Sequence, residues 1–314
     1  MTAGFCGGRN GGLRTVYKTR TRKEVVVMAY ILSGISVGGQ LALIAIGYTM
    51  VYGILRLINF AHSDVFMAAG LIMVYSQTFL PWYLSLLSTV ALTVLLAFSI
   101  EKCAYKPLRS APRMSVMISA IGVSYLIQNL ALYITGGLPQ PYPVIPWLAE
   151  NVEIFGTSTK RVTLVTPVIV IVLVVLLLIL INKTKIGMAM RAASVDFETA
   201  QLMGIRINKV ISATFIIGAV LAAVGSLTYF NNYPSVTPTA GSMPGLKAFV
   251  AAVFGGIGSI PGAVIGAFII GICENLLKWA GLTAFSDAFT FALLIIILCV
   301  RPSGLFGEKK TDKV

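Results

Sequence analysis

The sequence predicts an all-α fold: a polytopic transmembrane helix bundle with two pseudo-repeated halves and broken or re-entrant helices. Hydrophobic residues make up 57% of the 314 residues and charged residues only 11%, which is more apolar than a soluble domain with a single core. The apolar residues form runs of about 20 or more, the length that crosses a bilayer as a helix. Two of these runs are interrupted by polar or turn-forming residues. Because no shift in composition marks a second folded unit, we expect one transmembrane domain.

Most of the apolar runs predict simple spans. These runs cover about 25–48, 83–101, 114–135, 163–182, 210–230 and 286–300. Two further apolar stretches, 49–80 and 244–280, are too long for one span each. Polar residues interrupt the first stretch at 59–64, and a Gly-Gly-Ile-Gly-Ser-Ile-Pro-Gly run interrupts the second at 255–262.

Lysine and arginine cluster in four segments, which indicates how the chain is oriented in the membrane. The N-terminal tail, the segment 102–113, the loop 183–209 and the C-terminus hold most of the 24 basic residues. Basic residues beside span ends favour the cytoplasmic side, so we expect all four segments there, both termini included. The near-neutral loop 136–162 belongs outside. Residues 1–24 then form a basic, disordered cytoplasmic tail, 25–307 the transmembrane domain, and 308–314 a second cytoplasmic tail.

This orientation requires each interrupted stretch to cross the membrane an even number of times, as a re-entrant hairpin or a pair of short helices. Non-helical backbone at membrane depth is tolerated where protein or a water-filled cavity satisfies it. Paired broken helices in two halves of a chain therefore indicate a translocation path. The candidate path residues are Asn59, His62, Asp64, Gly255, Gly256, Gly258 and Pro261.

Both breaks also have structural interpretations. In the first break, Ser63 or Asp64 would cap a half-helix that begins at Val65, or the segment would be a loop at the membrane surface. In the second break, the glycines would allow tight helix packing, or they would present backbone N–H groups to a carboxylate. Lys247 and Glu274 lie nearby and would pair with each other, bind a zwitterion, or lie at the membrane interface.

The loop 183–209 alternates charged and apolar residues at helical spacing, which predicts short amphipathic helices that need an apolar partner surface. An amphipathic helix on the membrane surface is the alternative. The spacing Glu198-Thr199-Ala200-x-x-x-Gly204 resembles the coupling loop of ABC importer permeases, in which a short helix docks into a groove of the ATPase. The candidate coupling residues are Arg191, Asp196, Glu198, Ala200, Gly204 and Arg206.

Several functional classes lack support in the residues. The chain contains no GxxxxGK[ST] phosphate loop, and its four cysteines lack CxxC spacing, so we expect neither ATP hydrolysis nor a metal site in this chain. The formal charge of +13 comes from residues beside apolar spans, which indicates membrane topology and no nucleic-acid partner. A membrane enzyme with His62 and Asp64 as a catalytic pair is a further alternative, but no nucleophile motif accompanies the pair.

Several long motifs occur in an order that resembles a known family. They are Leu41-Ala-Leu-Ile-Ala-Ile-Gly-Tyr-Thr-Met-Val-Tyr-Gly53, Ile58-Asn-Phe-Ala-His62, Ala200-x-x-x-Gly-Ile205 and Lys247-Ala-Phe-x-Ala-Ala-Val-x-Gly-Gly-Ile-Gly-Ser-Ile-Pro-Gly-Ala263. Together they closely resemble the high-affinity branched-chain amino acid permeases of the LivH type, over about 25–307. Ser63 departs from the glycine common in the family after the histidine, and the basic N-terminal extension is a second departure.

The resemblance implies the permease subunit of an ATP-driven importer for leucine, isoleucine and valine, in a bacterial inner membrane. It also implies a second homologous permease subunit, two cytoplasmic ATPase subunits that bind ATP and Mg, and a periplasmic amino-acid-binding protein. This chain itself would bind no cofactor and would contact membrane lipid. A related permease for urea, amides or other amino acids is the nearest alternative, and a gradient-driven secondary transporter is a more distant one.

Overall fold

The structure is a computed structural model that describes residues 10–109, 111–154, 157–301 and 303–307. Its helices are α1 Asn10–Leu55, α2 His62–Ser76, α3 Trp82–Ile100, α4 Arg113–Thr135, α5 Pro146–Ala149, α6 Arg161–Lys183, α7 Lys185–Val195, α8 Phe197–Leu202, α9 Ile207–Asn232, α10 Ser242–Gly255, α11 Ile260–Trp279 and α12 Ser286–Val300. A π-helical turn, Glu101–Tyr105, extends α3, and a 3-10 turn, Thr283–Phe285, precedes α12. The strands are β1 Gln140–Pro141, β2 Asn151–Ile154, β3 Thr157–Lys160 and β4 Ser235–Val236.

Seven helices in the described residues are long and apolar enough to cross a membrane. They are α3 with its π-helical turn, α4, α6, α9, α11, α12 with the preceding 3-10 turn, and the part of α1 from Val26 to Leu55. The all-α, polytopic prediction is therefore confirmed, and the predicted simple spans after the first agree with the helices to within a few residues. The two pseudo-repeated halves stay a prediction.

The core of the bundle lies along α1, α9 and α11. The α1 side chains from Leu41 to Ile46 are at most 4% exposed, and glycines bring α1 against α11. A Cβ atom at Gly34 would lie 2.8 Å from Ile272 Cα, and one at Gly38 would lie 2.8 Å from Phe268 Cα. Such close backbone approach is the usual way for helices to pack within a membrane, so these two helices form a rigid centre.

The bundle has two distinct ends, and we call the end that holds α7 and α8 the loop face. The Arg56 side chain, just after α1, donates a 2.8 Å hydrogen bond from Nη2 to the Ser194 carbonyl in α7. The turn after α10 lies at the same face, because Gly258 and Ile260 line a cavity together with Arg191 and Ser194 of α7, and the segment 303–307 pairs with the end of α10 through a 3.0 Å bond from Leu305 N to Phe254 O. The hairpin of β2 and β3 and the pairing of β1 with β4 close the opposite face. The loop 136–162 therefore lies opposite the loop 183–209, in agreement with the charge pattern.

The path of α1 differs from the prediction. The predicted span ends near 48, but no strong helix breaker follows, and the helix continues to Leu55. It ends at Arg56, the one non-glycine residue of the described part with a positive φ, 55°. After α1 ends, the stretch 49–80 contains one further helix, α2. This helix begins beside Gly47 and runs back toward the opposite face. The stretch therefore passes the bundle once after α1, and not an even number of times.

The direction of α1 affects the predicted placement of the chain ends. Because α1 reaches the loop face at Leu55, its Val26 end lies toward the opposite face. This direction does not agree with a tail before α1 on the same side as the loop 183–209. Residues 1–9 of that tail and the C-terminal segment 308–314 lie outside the described residues. The stretch 244–280, by contrast, forms the expected pair of helices, α10 and α11.

A pair of glycine substitutions in α1 tests this packing. A Cβ atom at Gly47 would overlap the ring of His62, which is only 4% exposed. We therefore expect Gly47→Ala to lower the unfolding free energy by about 1–3 kcal/mol, as overpacking of a filled core does. Thermal unfolding of the detergent-solubilised protein measures the effect. Gly53→Ala is the matched control, because nothing lies within 4 Å of its Cβ position; equal midpoints for the two variants would contradict the packing.

Candidate functional site

The loop 183–209 folds into two short helices because each has a side-chain cap at its start. Thr184 Oγ1 accepts a 3.1 Å bond from Gly187 N at the start of α7. Asp196 caps α8 by accepting a 3.0 Å bond from Glu198 N, and its second carboxylate oxygen accepts from the Thr199 hydroxyl. Such caps satisfy backbone N–H groups that have no partner in the first helical turn. The prediction of short helices in this loop therefore agrees with the structure.

The end of α8 explains the spacing between Ala200 and Gly204. Gly204 N donates to Gln201 O at 3.0 Å, and Ile205 N donates to Ala200 O at 3.1 Å. This pair of bonds is a Schellman motif, in which the residue after the helix takes a left-handed conformation. Gly204 has a φ of +82°, which glycine adopts without strain. The glycine is thus required for the helix end, whatever else this loop contacts.

Three apolar side chains of the two loop helices project away from the bundle. Val195 is 85% exposed, Leu202 is 87% exposed and Met203 is 80% exposed, while Ala200 on the other side of α8 is buried. Leu202 and Met203 are adjacent, and large apolar side chains grouped on a surface indicate a site for another molecule. The sequence pattern predicted an apolar partner surface for this loop, but these three residues were missed. They could have been recognised in the sequence as apolar residues among the charged residues of the loop.

The remaining candidate coupling residues lie around the same helices. Arg191 in α7 donates a 2.8 Å bond to Asn182 Oδ1 at the end of α6, and Glu198 in α8 is exposed. Arg206 directly precedes α9 and lines a cavity of about 1000 Å³ at the loop face. Arg109 lines the same cavity and bonds Glu101, a buried carboxylate of the π-helical turn, and Asn208. The fold thus brings all six candidate coupling residues to one face.

The first break occupies residues 56–61, between α1 and α2, and runs from the loop face at Arg56 into the bundle. Asn59 is 3% exposed, and its Oδ1 accepts a 2.5 Å bond from the Tyr105 hydroxyl. His62 N donates to Asn59 O at 3.1 Å, and Val65 N donates to Ala61 O at 3.0 Å. The Asn59 and Ala61 carbonyls of this non-helical segment therefore have partners within the protein, as the interior of a membrane requires.

The side chains that follow the break differ from the predicted caps. Helix α2 begins at His62 and has no side-chain cap. Ser63 Oγ donates to Phe60 O at 3.1 Å, and Asp64 reaches across to α4, where it accepts bonds from Ser124 Oγ and Gln128 Nε2, the latter at 2.9 Å. The capping interpretation of Ser63 and Asp64 is wrong, because a partner on another helix binds the carboxylate instead. His62 packs edge-on against Tyr48 at 5.3 Å between ring centroids.

The second break lies at the loop face, between α10 and α11. Gly256 and Gly258 adopt positive φ values of 109° and 100°, and Gly255 packs against the Gly262 carbonyl. Pro261 is exposed in the first turn of α11. The segment 303–307 covers this turn through a 3.0 Å bond from Phe306 N to Gly255 O. The contacts of these glycines are those of close backbone packing.

A second helix start inside the bundle was missed by sequence reasoning. After β4 the chain turns inward over 237–241, and α10 begins beside the start of α2: a Cβ atom at Gly241 would overlap the Ser63 carbonyl, and one at Gly245 would overlap the Ser63 side chain. The available signal was the run of prolines, glycines and threonines from 234 to 245. The starts of two short helices therefore meet inside the bundle, and one of them adjoins the predicted first break.

Charged residues of three helices pair beside α10. Lys247 Nζ lies 2.9 Å from Glu274 Oε1 and 2.6 Å from Asp287 Oδ1, and Lys278 Nζ lies 2.7 Å from the same Glu274 oxygen. The sequence left open whether Lys247 and Glu274 pair with each other, bind a zwitterion or lie at the membrane interface. In the structure they pair with each other. Paired charges are the form in which ionised groups are tolerated inside an apolar bundle.

The sequence matches the family described as the permease component of branched-chain amino acid transport systems, over residues 30–298. The chain belongs to this family. It is similar to the high-affinity branched-chain amino acid transport system permease protein LivH of Escherichia coli (38% identity over 297 residues, 90% of this chain and 96% of the relative). It is also similar to LivH of Salmonella typhimurium (37% over 295 residues, 90% and 96%) and to BraD of Pseudomonas aeruginosa (36% over 300 residues, 90% and 97%).

Family membership has direct consequences for this permease. The match runs from α1 to α12, so it includes both breaks and the two loop helices. The chain is a multi-pass membrane protein and a transport permease, not an enzyme. The resemblance inferred from the motifs is therefore confirmed.

The Asp196 cap gives a test of how the permease holds α8. The Thr199 hydroxyl and the Glu198 amide hold the pKa of the Asp196 carboxyl below its usual value. The cap therefore stabilises α8 at all pH values above the usual pKa, about 4, and is lost only as pH falls through the lowered value. We expect Asp196→Ala to speed hydrogen exchange of the α8 amides at pH 7, whereas Asp196→Ser keeps most of their protection. Glu198→Ala is the control on the same helix, and equal exchange in Asp196→Ala and wild type would contradict the role of the cap.

Proposed function

We propose that this chain is the transmembrane permease subunit of an ATP-driven importer in a bacterial inner membrane, and that it carries leucine, isoleucine and valine into the cytoplasm. The observation that supports the proposal most strongly is the family match over residues 30–298, because it spans the breaks and the loop helices together. Similar proteins of comparable length are named as high-affinity branched-chain amino acid transport permeases.

The proposed partners are a second homologous permease subunit, two cytoplasmic ATPase subunits that bind ATP and Mg, and a periplasmic amino-acid-binding protein. We place the ATPase contact at α7 and α8, around Arg191, Asp196, Glu198, Gly204 and Arg206. The exposed Leu202 and Met203 side chains favour this placement, since aliphatic side chains on a small helix suit an apolar groove. The loop face is then cytoplasmic, and the hairpin of β2 and β3 faces the binding protein.

The proposed mechanism is alternating access. Solute released by the binding protein enters from the face of the hairpin, and closure of the ATPases moves the loop helices. The Arg56 bond to Ser194 connects those helices to the first break, and the Asp64 bonds connect that break to α4. Because Asn59, His62 and Asp64 are each at most 4% exposed, we propose that they shape the route from within the subunit. Gly255, Gly256, Gly258 and Pro261 would shape it from the turn at the loop face.

Charge substitutions at the tip of α8 test the ATPase contact. We expect the double variant Leu202→Glu, Met203→Glu to weaken co-purification of the ATPases roughly thirtyfold, the effect of losing an interface anchor worth about 2 kcal/mol. Leucine uptake should fall in parallel while membrane insertion is unchanged. These positions give a cleaner test than Gly204→Trp, which would strain the helix end directly. A loop that merely lies on lipid would lose membrane contact in the double variant but keep the ATPases.

Phe79→Glu is the matched control for this experiment. Phe79 is also 87% exposed, but it follows α2 at the opposite face, so its variant should retain the ATPases. Retention of the ATPases by the double variant would place their contact elsewhere.

Uptake of radiolabelled leucine into cells that contain the complete importer tests the solute. We expect isoleucine and valine to compete with leucine, and urea or amides not to compete, because the similar proteins are named for branched-chain solutes. Uptake should vanish when the ATPase subunits lose their catalytic residues. Uptake that survives this loss would indicate a gradient-driven transporter, and competition by urea or amides would indicate the alternative solute class.

A further inference from the structure

One transmembrane helix, α4, carries a row of polar and aromatic residues on its exposed surface, among exposed aliphatic side chains that include Ile118, Ile121, Leu126 and Leu130. In α4, Gly122, Tyr125, Asn129 and Tyr133 follow one another at spacings of three or four residues, so they share one side of the helix. All four are exposed, Tyr125 to 61% and Tyr133 to 86%. We call these four residues the α4 stripe.

Helix α6 provides the comparison. Its exposed large side chains are all aliphatic: Val168, Ile171, Val172, Val175, Leu176 and Ile179. Such a side suits lipid tails, which satisfy no polar group. Tyr125 lies near the middle of the span Met114–Thr135, away from the interfacial belt in which tyrosine is usual, and Asn129 lies one turn further along the helix. An exposed amide within a span is unfavourable in lipid, which favours a protein or water-filled surface beside the α4 stripe.

The other side of α4 is attached to the first turn of α2, just after the first break. Ser124 and Gln128 bind Asp64, and they occupy the positions just before Tyr125 and Asn129 in sequence. The side chains that face the bundle from α4 also include the buried Val116, Ala120, Ile127 and Ala131. The stripe therefore has a fixed orientation, away from its own subunit, and it is mechanically connected to the segment that follows α1.

We propose that the α4 stripe lines the solute route, with Tyr125 and Asn129 in direct contact with the passing amino acid. This inference rests on the proposed function, and it places the route outside this subunit, along a surface that the second permease subunit would complete. Within this chain Asn59, His62 and Asp64 are buried, and the exposed break residues Gly258 and Pro261 have no polar side chain, so the α4 stripe offers solute-facing groups that the breaks do not. Glycine at 122 leaves space beside Tyr125 for a side chain to pass.

The chemistry of the α4 stripe matches a branched-chain amino acid. A tyrosine ring packs against an aliphatic side chain and costs little conformational entropy. The Asn129 amide offers an acceptor for the ammonium group and two donor hydrogens, one of which is used in the 2.8 Å bond from Nδ2 to the Tyr125 carbonyl. The second hydrogen remains for the carboxylate. Contacts of neutral groups are weak enough to release the solute, as a conducting route requires.

Cysteine accessibility in the assembled importer tests the proposal. In a background with the native cysteines replaced by serine, we would label Tyr125→Cys and Asn129→Cys with a membrane-impermeant, water-soluble thiosulfonate. We expect both to react at least about tenfold faster than Val172→Cys and Leu176→Cys on α6, since buried or lipid-facing thiols are rarely ionised. Leucine supplied with its binding protein and ATP should slow the reaction at both α4 positions. Labelling no faster than on α6 would overturn the proposal.

A substitution then separates solute contact from simple packing between subunits. We expect Asn129→Leu to reduce leucine uptake about tenfold, the effect of losing about one hydrogen bond, while the ATPases and the second permease co-purify as in wild type. Val172→Leu on α6 should leave uptake unchanged. Unchanged uptake in Asn129→Leu, or loss of the second permease, would assign the stripe to packing and refute solute contact. If the wild-type importer carries no branched-chain amino acid but the cysteines in the α4 stripe still react, the assignment of the solute is wrong. The assignment of the stripe to a solute route then stands.

Discussion

Every backbone amide and carbonyl that leaves a helix inside a bilayer needs a partner, and this constraint organises the structure. At the break 56–61 the Asn59 and Ala61 carbonyls accept bonds from the first turn of α2, and the Tyr105 hydroxyl binds the Asn59 side chain. At the inward turn 237–241 the Thr237 and Thr239 carbonyls accept bonds from Ala240 N and Ser242 N, each at 3.0 Å. Two helices thus begin beside each other in the interior, and Gly241 and Gly245 permit their close approach.

The same constraint determines how the loop face is connected to the interior. Arg56 ends α1 in a left-handed conformation and binds the Ser194 carbonyl of α7. A few residues later Asp64 is fully buried and bound by two side chains of α4. A displacement of α7 therefore acts on a short segment with polar attachments at both ends. Physical contact of this kind is not by itself sufficient for coupling between distant sites. Association with the ATPases and uptake of solute are therefore separate properties of this segment.

Much of the fold followed from the sequence, and the exceptions have identifiable causes. Length and apolarity defined the spans from 83 onward, and the alternation of charged and apolar residues indicated the loop helices. The end of α1 was misplaced because residues 48–55 carry no break signal, and an apolar run alone does not show where a helix stops. The partner of Asp64 was missed because Ser124 and Gln128 are distant in sequence, and tertiary packing alone brings them together. Exposure of Leu202 and of the α4 stripe likewise depends on which sides of each helix the fold covers.

The helices differ in how much a rearrangement would cost them. Separating α1 from α11 would open contacts in which glycine backbones touch, at Gly34 and Gly38, and the dense packing of such contacts makes them all-or-none. Moving α4 against α2 would instead break the two hydrogen bonds to Asp64, each worth about 1 kcal/mol. The loss is recoverable if water or a polar solute reaches the carboxylate. A permease that must expose its route alternately to two sides is therefore expected to keep α1 and α11 fixed and to shift the helix that bears Tyr125 and Asn129.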